Sequence, residues 1–374
     1  MKKKKSVLAV SIGLSCLAAH ADEGVTIYGV ADAFVQVLDG SANISRVQSG
    51  GLVGSRLGFK GSEDLGGGLK AFFWLESGMS MDDGTISQSG AFFGRQSQVG
   101  LSGNFGTVSL GRQYGMLYYA TTDMSIFTNA AAGPSTVLIG GFGGGYEPVR
   151  GASGTAVPPA TGATGNGSPL RVNNSVRYES PSYEGFKFSV LYGAGELAGL
   201  TNQARTVDLG VRYTRDGFDV IASLVSDRTA AGSVLDATDA QTRTLAASYR
   251  IEGFRVVAGY LDFKDKRPTN ASGLDGKGAW VGADYRIGQQ LFKIQYIQNK
   301  PSSGANNKTQ ALGAGWVYDL SRRSALYTSL TRYKNDDRAG TAGLGRFNGA
   351  VPPGVTVPAD NSITEFALGV RHSF

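Results

Sequence analysis

Apolar and polar residues alternate with a period of two along most of this chain, and that period constrains the fold more than any other feature. Between Phe186 and Tyr192, for example, the apolar residues recur at every second position, as expected for a β-strand with one apolar face. The longest stretch without a charged residue, 124–146, contains Pro134 and several glycines, so it is a loop rather than a membrane helix. The chain is therefore predicted to be all-β.

The connections between the alternating segments are sorted by length. Sixteen strands are predicted, at residues 24–38, 52–61, 68–79, 91–102, 106–114, 171–180, 185–194, 204–215, 217–227, 241–252, 253–264, 277–288, 290–299, 308–320, 323–335 and 361–374. Every second connection is short, and the others are longer, up to 56 residues at 115–170. A soluble sandwich has no reason to sort loops this way. A transmembrane barrel does, because its tight turns are periplasmic and its long loops are extracellular.

These patterns predict a 16-stranded antiparallel transmembrane β-barrel formed by residues 22–374. Backbone groups in lipid must all be paired, so the first strand must meet the last. The apolar face is expected to contact outer-membrane lipid. A barrel of this size is too wide for side chains to fill, so its polar lumen should hold water.

The first 21 residues have the features of a secretory signal peptide. Four lysines precede the short apolar stretch 6–18, and Ala19-His20-Ala21 supplies a cleavage site. Without this leader the chain has 32 basic and 30 acidic residues, no cysteine and one histidine, His372. That composition excludes a disulfide framework or a cysteine zinc site and argues against a nucleic-acid partner. No metal or other cofactor is implied, and an enzyme is disfavoured because no serine has an evident histidine partner.

The polar face of the predicted strands is more basic than acidic. Its cations are Arg171, Arg177, Lys187, Arg212, Arg250, Arg286, Lys293 and Arg371, and its acids are Asp32, Glu179, Asp208, Asp284 and Glu365. A cationic wall favours anions, although neutral cross-strand pairs such as Arg177 with Glu179 are an alternative. Lys60, Arg177 and Asp32 are predicted to line the pore.

The connection 115–170 is far longer than an ordinary loop. It could be a disordered outer loop, or it could fold inward and narrow the lumen. Because the barrel cannot select solutes unless something narrows it, we expect the first part to fold inward and the stretch 151–169 to be exposed.

Several segments, taken in order, resemble the trimeric Gram-negative general porins. They are Val25-Thr26-Ile27-Tyr28-Gly29-Val30-Ala31-Asp32, Ser55-Arg56-Leu57-Gly58-Phe59-Lys60-Gly61-Ser62-Glu63-Asp64-Leu65-Gly66, Phe93-Gly94-Arg95-Gln96, Gly106-Thr107-Val108-Ser109-Leu110-Gly111-Arg112-Gln113-Tyr114 and Asn174-Ser175-Val176-Arg177-Tyr178-Glu179-Ser180. The terminal Phe374 resembles the family's outer-membrane assembly signal. The resemblance implies a homotrimer inserted by the barrel-assembly machinery, through which ions and small hydrophilic solutes diffuse passively.

The resemblance also implies a constriction between the third long loop and a ladder of arginines, which by position are Arg56, Arg95 and Arg171. Alternation directs Arg56 and Arg171 into the lumen, but Arg95 has the parity of lipid-facing residues. Either a bulge corrects this, or Gln96 and Gln98 face a neighbouring subunit. Arg112 also has the lipid-facing parity, and we interpret it as a trimer contact.

The constricting loop departs from the family pattern in its charge. Many general porins carry a Pro-Glu-Phe-Gly element and a further acid there, whereas this chain has no acid from Met124 to Tyr146. We place Asp123 and Asn129 in the constriction and predict a preference for anions. A channel specific for one small anionic solute is the alternative, with a track formed by Tyr114, Tyr118, Tyr119 and Phe127. A lectin or adhesin is disfavoured by the sorted loop lengths.

Overall fold

The computed structural model describes residues 24–39, 43–88, 90–128, 130–138, 170–195, 205–228, 239–265, 276–301, 308–335 and 362–374. The predicted leader 1–21, Asn129 and residues 139–169 of the long connection lie outside the described residues. The described residues form seventeen strands and two short helices. Neither of these helices is long and apolar enough to cross a membrane.

All strands belong to one antiparallel sheet. They are β1 (Thr26–Asp39), β2 (Ile44–Ser49), β3 (Arg56–Gly66), β4 (Leu69–Gly78), β5 (Gln96–Gly103), β6 (Gly106–Tyr114), β7 (Arg171–Glu179), β8 (Phe186–Gly193), β9 (Thr206–Arg215), β10 (Phe218–Arg228), β11 (Asp239–Ile251), β12 (Phe254–Asp265), β13 (Gly276–Ile287), β14 (Gln290–Pro301), β15 (Thr309–Asp319), β16 (Ser324–Asn335) and β17 (Ser362–Ser373). The helices α1 (Met116–Thr122) and α2 (Ser135–Leu138) lie between β6 and β7.

The sheet closes on itself, which confirms the predicted barrel. β1 pairs with β17 from Val30 opposite Ser373 to Asp39 opposite Thr364. Below these pairs, Gly29 and Phe374 exchange two backbone hydrogen bonds of 3.0 and 3.1 Å. With every neighbouring strand paired, the sheet has no free edge to expose unpaired backbone groups to lipid.

Strands β2 and β3 together occupy one position of the barrel, so the seventeen strands fill sixteen positions. β2 pairs with the upper half of β1, and β3 pairs with its lower half. β2 falls in the connection between the predicted strands 24–38 and 52–61, and four of its six residues, Ile44–Ser49, are polar. Asp32 explains the break between the two strands, because its carboxylate accepts hydrogen bonds from the backbone of Gly51 (3.1 Å), Leu52 (3.0 Å) and Val53 (2.8 Å).

The two faces of the sheet have opposite compositions. On β13, Val281 is 55% exposed on the outer face, whereas its neighbour Trp280 is 3% exposed on the inner face. Large apolar side chains are exposed in this way on the outer face of most strands, as lipid contact requires. Tight turns join the hairpins at one end. In one of them, Asp216 and Gly217 both adopt positive φ (51° and 83°), the conformation of a type I′ hairpin turn.

Candidate functional site

The described part of the long connection, residues 115–128 and 130–138, packs against the inner face of the barrel; we call it the loop segment. Helix α1 contacts β9, β10 and β11, and α2 contacts β14 and β15. Met116, Leu117 and Ile126 of the segment are buried in one cluster with Ile221 and Val225 of β10. The inner face of this half of the barrel is therefore partly apolar because it holds the loop segment rather than water.

Glycines on the inner face make room for the loop segment. A Cβ atom at Gly210 would collide with Met116, and one at Gly313 would collide with Pro134. At Gly282 a Cβ atom would lie 2.7 Å from Ile126, closer than packed carbon atoms can approach. Part of the chain's high glycine content thus reflects close packing of a loop on a sheet.

Polar side chains of the wall satisfy backbone groups of the loop segment. Gln295 Oε1 accepts hydrogen bonds from the backbone N–H groups of Ile126 (3.1 Å) and Phe127 (3.0 Å). Trp280 Nε1 donates to the carbonyl of Met124 at 2.6 Å. Each bond is buried, and a buried backbone group without a partner would be costly. The segment is therefore fixed to the wall along its length.

Side chains of the wall also hold the part of the loop segment that leads to α2. Glu365 Oε1 accepts a 3.0 Å hydrogen bond from Gly133 N, while Tyr333 donates a 3.0 Å hydrogen bond to the carbonyl of Gly133. Glu365 and Asp208 were predicted to face the lumen. Both lie on the inner face but are at most 1% exposed, so they support the structure instead of contacting pore water.

Asp123 ends helix α1 and faces cations of the wall. Its Oδ2 atom accepts a 2.9 Å hydrogen bond from Arg212, and its carbonyl accepts a 3.4 Å bond from Arg255. Asp219 binds Arg212 through two further bonds, of 2.8 and 2.5 Å. Burial raises the pKa of the Asp123 carboxyl above its usual value, and Arg212 opposes that shift. Asp123, Arg212, Asp219 and Arg255 line an open space of about 510 Å³ within the barrel.

Arg56 and Arg95 converge on one carboxylate, Glu76. Arg95 Nε lies 2.6 Å from Glu76 Oε1, and Arg56 Nη1 lies 3.8 Å from Oε2. Arg56 is partly exposed and faces inward, as its parity predicts. β5 begins at Gln96, which lies opposite Glu76, and the backbone N–H of Arg95 also donates a 3.1 Å hydrogen bond to the carbonyl of Glu76. Two residues thus oppose one, as in the bulge that was one of the two explanations for Arg95.

Gln96 and Gln98 therefore do not face a neighbouring subunit, as one of those explanations proposed. They lie opposite Glu76 and Trp74 in the register of β4 and β5, and Gln96 is 2% exposed. Tyr28 donates a 2.8 Å hydrogen bond to Glu76, which places this carboxylate in a network on the inner face.

Arg171 contacts two tyrosine rings, Tyr114 at the end of β6 and Tyr118 of the loop segment, rather than a carboxylate. Its guanidinium carbon is 5.0 Å from the ring centre of Tyr114 and 5.8 Å from that of Tyr118. These two rings stack with centroids 3.7 Å apart. Asn174 adopts φ of 48°, and the register shifts between Gly111 and Gln113. This bulge changes the parity at the start of β7, so alternation alone was not a sound basis for orienting Arg171.

Arg177 pairs with Glu179 as suggested, but the two residues lie on one strand, β7, and not across two strands. Its Nη2 atom lies 2.6 Å from Glu179 Oε2, and the guanidinium also lies 5.4 Å from the ring centre of Tyr119. Lys60 is exposed on the inner side, with its ammonium 5.4 Å from the ring centre of Tyr28. The three basic residues Arg56, Arg177 and Lys60 therefore lie on the inner side of the barrel as predicted.

The structure corrects one pore-lining prediction. Asp32 is 0% exposed, and its carboxylate binds the backbone of residues 51–53, so it does not line open water. Arg112, interpreted as a trimer contact, donates hydrogen bonds to the carbonyl of Gly94 (2.7 Å) and to Asn173. These partners compensate for its position on the outer side.

Three residues of the site, Glu76, Gln295 and Arg255, were not predicted from the sequence. A signal for Glu76 was present, because it shares its parity with Lys70, whereas Phe73 and Leu75 of the same predicted strand have the other parity. Arg255 was hidden because Val257, Leu261 and Phe263 share its face. That face is apolar where the loop segment packs. When both faces of a strand are apolar, alternation does not show which face points into the barrel.

Comparison with known proteins places the chain among channel proteins. The family model for Gram-negative porins matches residues 6–338. Outer membrane porin protein 32 of Delftia acidovorans is 33% identical over 378 residues, covering 99% of this chain and all of that protein. Major outer membrane protein P.IB of Neisseria gonorrhoeae is 29% identical, covering 87% of this chain and 92% of that protein.

Solved structures agree with the sequence relatives. An anion-selective porin from Comamonas acidovorans superposes with a TM-score of 0.75 at 30% identity, covering 94% of this chain and all of that chain. Salmonella typhi OmpF, in a complex with daunomycin, shares the fold with a TM-score of 0.64 at 16% identity, covering 94% of this chain and 97% of that chain. The chain therefore belongs to the Gram-negative porin family and is an outer-membrane protein that forms a water-filled channel for passive diffusion.

Proposed function

We propose that this porin is a homotrimer of anion-preferring channels for small hydrophilic solutes and ions. The constriction lies between the loop segment and the wall that carries Arg56, Arg95 and Arg171. Residues 1–21 are a leader that is removed on export, residues 22–374 form the barrel, and Phe374 is read by the barrel-assembly machinery. No cofactor takes part, because passage requires no chemical step.

The observation that carries the anion preference is the charge balance around the loop segment. Its described residues contain one acid, Asp123, which is held by Arg212. On the other side of the constriction, Glu76 is shared by Arg56 and Arg95, and Arg171 faces tyrosine rings that carry no charge. Cations therefore exceed acids where the lumen is expected to be narrowest, which lowers the barrier for anions. The anion-selective porin from Comamonas acidovorans supports the same direction.

Contacts of the aromatic residues favour general diffusion over a channel specific for one small anionic solute. Tyr114 and Tyr118 stack on each other, and Arg171 lies over the stack. The ring centre of Phe127 lies 4.5 Å from Lys293 Nζ. The faces of these rings are occupied by protein, so they serve to anchor the loop segment. Conductance that rises in proportion to salt concentration, without saturation, is the expected result.

A planar-bilayer recording of the purified protein under a salt gradient tests the proposal. We expect conductance steps that close in threes and a reversal potential of anion sign. Thr128 lines the space beside Asp123 and has φ of 51°, a conformation that Asp and Asn tolerate. Thr128→Asp should lower the anion-to-cation permeability ratio roughly three- to tenfold, as one added charge in water implies.

Thr128→Asn is the matched control, because an Asn side chain has nearly the same shape as an Asp side chain and adds no charge. It should keep the wild-type reversal potential. A wild-type reversal potential of cation sign would contradict the charge assignment while leaving the channel intact. Single, independent closures would contradict the trimer.

A further inference from the structure

A short segment between β2 and β3 leaves the wall of the barrel. The pairing of both strands with β1 leaves residues 31 and 32 of β1 opposite six residues, 50–55, which is four residues more than the ladder needs. The hydroxyl groups of Ser49 and Ser55, at the two ends of this stretch, nevertheless lie 3.0 Å apart. The excess chain is therefore looped out of the sheet as residues 50–54, which we call the inner turn.

The inner turn projects into the barrel and not towards lipid. The backbone N–H groups of residues 51–53 all donate to the carboxylate of Asp32. Asp32 has the parity of Phe34, which is 2% exposed on the inner face, whereas Val35 is 47% exposed on the outer face. Residues 52–54 of the turn are themselves partly exposed. A segment that covers the inner face and is still partly exposed borders the lumen.

Carbonyl groups of the inner turn bind both sides of the proposed constriction. On one side, the carbonyl of Gly50 accepts a 2.8 Å hydrogen bond from the backbone N–H of Ala131 in the loop segment. On the other side, the carbonyl of Gly54 accepts a 3.0 Å hydrogen bond from Nε of Arg56. The turn therefore connects the loop segment to the arginine ladder, while its N–H groups are held by the wall.

Gly54 also lies against the second arginine that binds Glu76. Apart from its chain neighbours, a Cβ atom at Gly54 would meet only the guanidinium of Arg95, at 3.2 Å from Nη1. Gly54 does not adopt a positive φ, so its backbone conformation does not require glycine. The missing side chain instead leaves room for the Arg95 guanidinium. A side chain at this position would therefore be added directly beside two cations of the ladder.

We propose that the inner turn is a second constricting element of the pore, that it helps to determine ion selectivity, and that Asp32 is its positioning residue. Asp32 does not contact a passing solute. It fixes residues 51–53, and the turn in turn fixes the acceptor of Arg56 and a contact of the loop segment. This inference deepens the proposed anion preference and rests on it only for the sign of the selectivity.

Reversal potentials of purified channels in a salt gradient test the place of the inner turn. Gly54→Asp adds a carboxylate beside Arg95 and should lower the anion-to-cation permeability ratio roughly three- to tenfold, as one added charge near the ion path implies. Gly54→Asn is the matched control, because it adds nearly the same volume without a charge, and it should keep a ratio near that of the wild type. Equal ratios in the two variants would overturn the proposal, because the turn would then lie outside the ion path.

A double-mutant cycle tests whether Asp32 acts through Arg56. Asp32→Asn leaves one acceptor oxygen for the three N–H groups of the turn, so Arg56 loses its fixed acceptor and can close the 3.8 Å distance to Glu76. The permeability ratio should then fall roughly threefold, a fraction of the effect of one full charge. Loss of the Asp32 charge alone would raise the ratio, so a fall identifies the effect on position. In the Arg56→Gln background, Asp32→Asn should no longer lower the ratio.

A rise in the ratio on Asp32→Asn, or an equal fall in both backgrounds, would overturn the positioning role, because independent sites have additive effects. Heat-modifiable migration in gels shows that each variant is folded. Ser55→Ala replaces Asp32→Asn if the latter does not fold, because the Ser55 hydroxyl donates a 2.9 Å hydrogen bond to the carbonyl of Asp32 and accepts a 3.1 Å bond from its N–H. A wild-type preference for cations would contradict the proposed function, whereas a lower ratio in Gly54→Asp than in Gly54→Asn would still support the inner turn.

Discussion

Asp123 of the loop segment accepts a 2.9 Å hydrogen bond from Arg212, a cation of the barrel wall. Arg212 also binds Asp219 through two hydrogen bonds, so one guanidinium serves two carboxylates. This shared cation has two effects. It fixes the end of helix α1, and it cancels much of the negative charge that the loop segment brings towards the lumen.

Replacement of Arg212 by Gln should therefore shift selectivity towards cations. Asp123 and Asp219 would keep their charges without the cation between them, and we expect the anion-to-cation permeability ratio to fall roughly three- to tenfold. Reversal potentials in a salt gradient measure the change. Arg322→Gln, in a turn between β15 and β16, removes the same charge at a distance and should have little effect. An unchanged ratio in Arg212→Gln would show that this pair lies outside the ion path.

Selectivity should also depend on pH through Asp123. Burial raises the pKa of this carboxyl, and Arg212 opposes the shift. As pH falls through the raised pKa, the carboxyl gains a proton and the constriction becomes more positive. The anion preference should thus increase on acidification, and the increase should begin at a higher pH than an exposed aspartate would give. Asp123→Asn should show, at all pH values, the anion preference that the wild type shows at low pH. A pH dependence of selectivity that is unchanged in this variant would show that Asp123 is not the titrating group.

Gln295→Ala should loosen the loop segment. The substitution leaves the backbone N–H groups of Ile126 and Phe127 buried without an acceptor, at a cost of about 2 kcal/mol. Hydrogen exchange of these two amides should accelerate roughly 30-fold, and open-channel current noise should rise. Gln298→Ala, three residues along the same strand but on the outer face, provides the control. Protection that stays at the wild-type level in Gln295→Ala would show that other contacts are sufficient to hold the segment.

The alternation of apolar and polar residues predicted the barrel correctly. It gave wrong side-chain directions where a break or a bulge interrupts a strand. Sixteen strand positions followed from residue spacing and loop lengths, because lipid outside and water inside impose a period of two. The break at residues 50–55 could not be predicted, since it depends on hydrogen bonds that backbone N–H groups of residues 51–53 donate to Asp32 on β1. The bulge at Asn174 likewise altered the parity that had been used to orient Arg171.

The site was only partly predictable for a related reason. Arg56 and Arg177 follow the alternation, and their sides of the sheet were correct. Arg95 lies before its strand, so its direction depends on the 2.6 Å contact with Glu76 and not on parity. Gln295 is uncharged and belongs to no sequence motif. Its importance comes from where the loop segment crosses β14, which is a property of tertiary packing.

Phe374→Ala should separate assembly in the cell from stability of the barrel. The backbone of Phe374 pairs with Gly29 across the closure of β1 and β17, and that pairing does not need the aromatic ring. Phe374 is 47% exposed in the folded barrel, so the barrel does not depend on complete burial of this side chain. We expect much less heat-modifiable porin in outer-membrane fractions but near-normal refolding of the purified variant in detergent. Equal losses in both experiments would assign the ring to folding rather than to recognition.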